Sequence, residues 1–112
     1  MAGGPEGQPP VGFRAVLRCP RCGGGHLHHA SVTVWHRRED AADVALTFVR
    51  NGHTTVSVAD SAESGNPSPR RGAVCIWFWC EECGNGHADF PDLKLTLSQH
   101  KGATFVCWDP DP

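Results

Sequence analysis

No stretch of the chain approaches the ~18–20 consecutive apolar residues of a membrane-spanning helix, so no bilayer span is expected. Met1 to Pro10 are rich in Gly and Pro and hold no apolar run, so they do not read as a secretory signal. A reducing, cytoplasmic setting is the resulting expectation, and there closely spaced cysteines serve more often as metal ligands than as disulfides. A strong excess of one charge is also lacking. The formal net charge is −2, which argues against a basic coat protein for nucleic acid while leaving room for a local basic face. No segment carries a sustained 3.6-residue apolar period, so no amphipathic helix is predicted. Catalytic signatures are missing too: no Gly-x-Ser-x-Gly elbow, no P-loop, no His-Glu-x-x-His, and no His-x-Glu ahead of a Pro-Cys-x-x-Cys.

What is present is strand chemistry. Residues 1–12 read as a flexible lead-in and 13–112 as one domain. Phe13–Arg18 reads as a short strand ending at Cys19, and Ala30–Arg37, with Val32, Thr33, Val34 and Trp35, as another. Arg38–Asp43 is a charged break with room for one helical turn. Val44, Leu46 and Phe48 alternate with Ala45, Thr47 and Val49 ahead of Asn51-Gly52, the pair preferred where both turn positions need φ > 0. Thr54–Val58 then returns as the partner strand. Asp60–Gly72 has loop composition. Ala73–Trp79 is a nearly unbroken apolar run, and Leu93–Leu97 with Ala103–Trp108 forms a second hairpin about His100-Lys101-Gly102. The fold class expected is all-β.

Two Cys-x-x-Cys pairs carry the chemistry. Cys19-Pro-Arg-Cys22-Gly-Gly-Gly-His26 and Cys80-Glu-Glu-Cys83-Gly-Asn-Gly-His87 share the pattern C-x-x-C-G-x-G-H. A tight turn between two cysteines points both sulfurs at one ion, so each pair supplies half of a tetrahedral site. Glycine after the second cysteine tolerates φ > 0 and lets backbone N–H groups turn toward the thiolates. Such contacts, with Arg18 and Arg21 close by, would offset a site of formal charge −2. The expectation is one structural Zn²⁺ held by Cys19, Cys22, Cys80 and Cys83. His26 and His87, at matching positions, are expected around the ligands rather than among them. A thioredoxin-like redox pair needs a helix N-terminus to lower the thiol pKa, and Gly23-Gly24-Gly25 denies it. A filled four-cysteine set leaves no open position for a metal-bound water.

These paired knuckles resemble the zinc-ribbon superfamily, whose members carry two zinc knuckles on β-hairpins around a four-cysteine site. The resemblance covers the knuckles and their flanking strands. It implies a zinc-ribbon-like antiparallel sheet with residues 38–72 inserted as a hairpin and loop, a longer separation than compact ribbons show.

The remaining candidates concern binding. Trp77 and Trp79 are two apart and share one strand face, as core or as a platform for a partner. Cys75 and Cys107 lie on apolar strands and read as small hydrophobes. His28 and His29 join His26 in a cluster expected to be solvated. Residues 12–38 hold Arg14, Arg18, Arg21, Arg37 and Arg38 with no acid, and Arg37 and Arg38 are the candidates for phosphate contact. The sequence thus points to a non-enzymatic, zinc-stabilised interaction module that binds a protein partner. The alternative is a nucleic-acid-binding zinc ribbon. A small metal-dependent nuclease or hydrolase is less favoured, because Asn51-Gly52-His53 reads as a turn rather than part of a catalytic ββα unit. An unpaired strand edge would allow a dimer.

Overall fold

The computed structural model describes residues 14–84 and 86–108. The lead-in at 1–12 lies outside these. Among the described residues, six strands form one antiparallel sheet: β1 (Leu27–His36), β2 (Asp43–Arg50), β3 (His53–Asp60), β4 (Ala73–Cys80), β5 (Leu93–His100) and β6 (Ala103–Trp108). Their spatial order is β3-β2-β1-β4-β5-β6. The protein is all-β, with no helix among the described residues and hence none long and apolar enough to cross a membrane.

Both hairpins form at their turn dipeptides. Asn51 and Gly52 have φ of 50° and 77°, and Lys101 and Gly102 have 50° and 79°, the doubly positive geometry that suits the right-handed strand twist. The hairpin within 38–72 extends the sheet, since β2 pairs with β1 from Ser31↔Arg50 to His36↔Ala45. Residues 38–42 make no helical turn.

The Phe13–Arg18 strand is not observed: residues 14–18 are irregular, and Phe13 lies outside the described residues. The reason is edge supply. β4 pairs with β1 on one side and β5 on the other, so it has no free edge for an earlier segment. The strand next to the first knuckle is the one that follows it. β1 starts at Leu27, opposite Cys80 at the end of β4. Because the pair is antiparallel, the knuckle entering β1 and the knuckle leaving β4 meet at one end of the sheet. The Glu81 N–H continues the ladder to the His26 carbonyl at 3.1 Å.

The two faces differ. Val44, Ser31, Cys75, Ala73 and Thr96 are all buried on one face, under the loops 61–72 and 86–92. Trp35 Nε1 donates to the Ser64 carbonyl at 2.9 Å, and Arg50 donates to the Asp89 carbonyl. Cys75 Sγ lies 3.4 Å from Thr96 Oγ1 beneath this cover. On the opposite face one cross-strand row runs Val56, Thr47, Val34, Val74, Leu97, Val106. The next row carries Val49, Val32, Ile76 and Leu95 at its centre. Among the described residues, the knuckle end of that face is the part that is covered, where Cys19, Cys80 and Leu93 are buried with Leu27, Phe78 and Trp108 packed around them.

Candidate metal centre

The knuckles bring the four predicted cysteines together. The sulfurs of Cys19, Cys22, Cys80 and Cys83 all lie within 4.8 Å of one another. Cys19 Sγ is 3.5 Å from Cys83 Sγ, and Cys22 Sγ is 3.7 Å from Cys80 Sγ. Four thiolates about 2.3 Å from one central ion in a tetrahedron stand ~3.8 Å apart, so the donor set fits one metal ion.

Each half is built by a local turn. In the first, Gly23 N–H donates to the Cys19 carbonyl at 2.8 Å and Cys19 N–H to the Gly24 carbonyl at 2.9 Å. Gly23 and Gly84 follow the second cysteine of each pair with φ of 76° and 77°, a region side chains rarely occupy. Backbone N–H groups of Arg21, Gly24 and Glu82 each lie 3.4 Å from a sulfur, on Cys19, Cys22 and Cys80 in turn. These donors favour the thiolate over the thiol.

The thiols ionise unequally. Burial resists ionisation of Cys19, but hydrogen bonds from Cys22 and Arg21 N–H, aided by the Cys83 and Cys22 side chains, bring it to about 7. Cys83 is pushed the other way by its contacts with Cys22 and Cys19. Four thiolates at this spacing need a cation among them, which is the strongest physical argument that the cluster is a metal site.

The surrounding charges cross-link the knuckles. Arg21 pairs with Asp92 at 2.7 Å, which, with the charge of Asp92, Cys83 and Cys19, raises its pKa further. His26 Nδ1 lies 2.7 Å from Glu82 Oε1. His28 Nε2 bonds Glu81, holding that carboxyl below its usual range. The pairs close so tightly that a Cβ on Gly24 would stand 2.5 Å from the Glu82 carboxylate.

The other predicted residues are scattered. His87 is not the counterpart of His26. It closes a small turn, pairing with Phe90 in an isolated bridge with ring centroids 4.9 Å apart. Trp79 stacks on His28 at 4.4 Å with 16° between planes. Trp77, on the same face, meets Lys94, whose Nζ is 5.5 Å from the ring centroid, and lines a shallow recess with Phe48, Arg50 and Phe90. Arg37 braces the long loop by donating to the carbonyls of Ala41 at 2.8 Å and Pro69 at 3.1 Å, while Arg38 is exposed. Arg70 and Arg71 pair with Asp40 and Glu39. Cys75 is buried and Cys107 exposed. The sequence reading missed the carboxylates Glu81, Glu82 and Asp92 as partners. Their signal was present, because acids cluster in the second knuckle while residues 12–38 hold only basic groups.

Comparison of the chain with family models, with curated proteins and with solved structures gives no match.

Proposed function

We propose that this chain is a zinc-stabilised, non-catalytic interaction module of zinc-ribbon type that binds a protein partner through its sheet. The observation that carries this reading is the disposition of reactive and apolar groups. Four thiolates would fill every position of a tetrahedral ion, so Cys19, Cys22, Cys80 and Cys83 would hold the metal with no site left for water or substrate. Tetrahedral all-sulfur coordination favours zinc over hard cations. When bound, zinc would supply folding energy, on the order of 10 kcal/mol or more in zinc-finger peptides. The ionisable side chains near the centre are committed to one another, whereas a broad aliphatic face stays open. That pattern supports binding over catalysis.

The nucleic-acid reading ranks second, because Arg37, Arg70 and Arg71 are engaged within the fold. Fluorescence anisotropy with labelled single-stranded and duplex oligonucleotides at low salt separates the two. The expected result is no saturable binding at micromolar protein and no cleavage of the probe. Saturable, salt-dependent binding that is lost in an Arg37→Ala/Arg38→Ala double variant would overturn the proposal.

A further inference from the structure

We infer that the open aliphatic face of the sheet is a self-association surface, and that a second copy of this chain covers it. The inference rests on the interaction-module reading and names the partner.

A sheet that is apolar on one side needs a second layer, and stable domains stack two layers around a core. Among the described residues, the two loops supply a layer on the Trp35–Cys75 face alone. On the other face Val56 is 68% exposed, Val58 70% and Val106 63%. Between these edge strands Val34, Val74 and Leu97 are half-buried, shielded by their own neighbours. Along the two central rows no charged residue occurs. Each row spans six strands, roughly 29 Å, and the two rows together cover about 400 Å² in plan. That is the size of the largest apolar patch on an ordinary monomer, which is often a functional surface. It supplies about half of the ~800 Å² per partner of a standard stable interface, and the polar residues around it would supply the rest.

The chemistry favours an identical partner. A two-fold interface sets each patch against itself, so a charge near the axis meets its own copy. A patch of Val, Leu, Ile and Thr without charge meets no such penalty. It also carries no charged imprint that a complementary foreign partner would need for register and selectivity. Two identical sheets share one twist and pack aligned at about 30°, some 10 Å apart, with β-branched side chains interdigitating. The covered knuckle end and the acids Asp43 and Asp60 at the opposite end bound the patch, giving an apolar centre and a polar rim.

The test is sedimentation equilibrium of the full-length, metal-loaded chain from 1 to 100 µM, with metal content measured on the same samples. The expected mass is twice the 12.1 kDa of the chain. Val34→Asp, at the centre of the patch, is expected to give a monomer. Val56→Asp lies on an exposed edge strand, where a carboxylate is readily solvated in the monomer, and is expected to weaken association about tenfold or more without loss of metal. Two results overturn the inference: a wild-type chain monomeric at 100 µM, or a dimer unaffected by Val56→Asp, which would place the contact at a strand edge or elsewhere. A monomer that still holds one zinc per chain removes self-pairing and leaves the zinc module standing. A chain without metal removes the module reading whatever its mass.

Discussion

His26, four residues past the first cysteine pair, is joined to Glu82, between the cysteines of the second, by a 2.7 Å contact from Nδ1 to Oε1. The two segments lie 56 residues apart in sequence, and the contact ties the halves of the metal centre from outside. The hydrogen bond to Glu82, then the charges of Glu82 and Glu81, raise the His26 pKa above 6.5. A raised folded pKa means the contribution is fully present below the unfolded value and is lost as pH rises through the folded one. His26→Gln is therefore expected to melt lower than wild type at about pH 6, with the gap closing by about pH 9. A gap that widens with rising pH would contradict the pairing.

Cysteine position decides consequence. Cys80 is buried at the metal centre, and Cys80→Ser is expected to abolish both metal binding and the cooperative melt. Cys75 is 1% exposed under the loops, with its sulfur 3.4 Å from Thr96 Oγ1. Cys75→Ala is expected to keep the metal and cost about 1–2 kcal/mol in urea unfolding, the scale for trimming a small buried side chain. Loss of metal from Cys75→Ala would show that the ligand set has been misassigned.

Gly72 stands where the long loop enters β4. A Cβ built there lies 2.2 Å from the backbone oxygen of Trp35, a residue paired with Ala73 in the β1–β4 ladder. Backbone in a sheet cannot yield as a flexible side chain would. Gly72→Ala is expected to destabilise by about 1–3 kcal/mol, measured by denaturant midpoint at constant m. A neutral substitution would mean that the loop is free to leave the strand end.

The features legible in the sequence were those set by local chemistry. Asn51-Gly52 and Lys101-Gly102 specify their turns because glycine accepts φ > 0, and the alternating residues beside them then have one register. The repeated C-x-x-C-G motif specified the knuckles for the same reason. Strand pairing was less legible. The apolar residues Phe13, Val16 and Leu17 suggested a strand, yet Val16 is 64% exposed and β4, which leads to the second knuckle, is already paired on both sides. Nor did spacing reveal that β1, rather than the segment before Cys19, carries the first knuckle to β4. The burial of Cys75 and Thr96 under loops, and the crossing of His26 to Glu82, are tertiary facts with no local signature.

Metal analysis coupled to melting tests directly whether four thiolates hold one ion. Purified full-length protein is assayed for zinc and iron per chain, then melted before and after treatment with a strong chelator. One zinc per chain, with the cooperative melt abolished by chelation and restored by added zinc, is the predicted result. A metal-free chain whose melt is indifferent to chelation would contradict it.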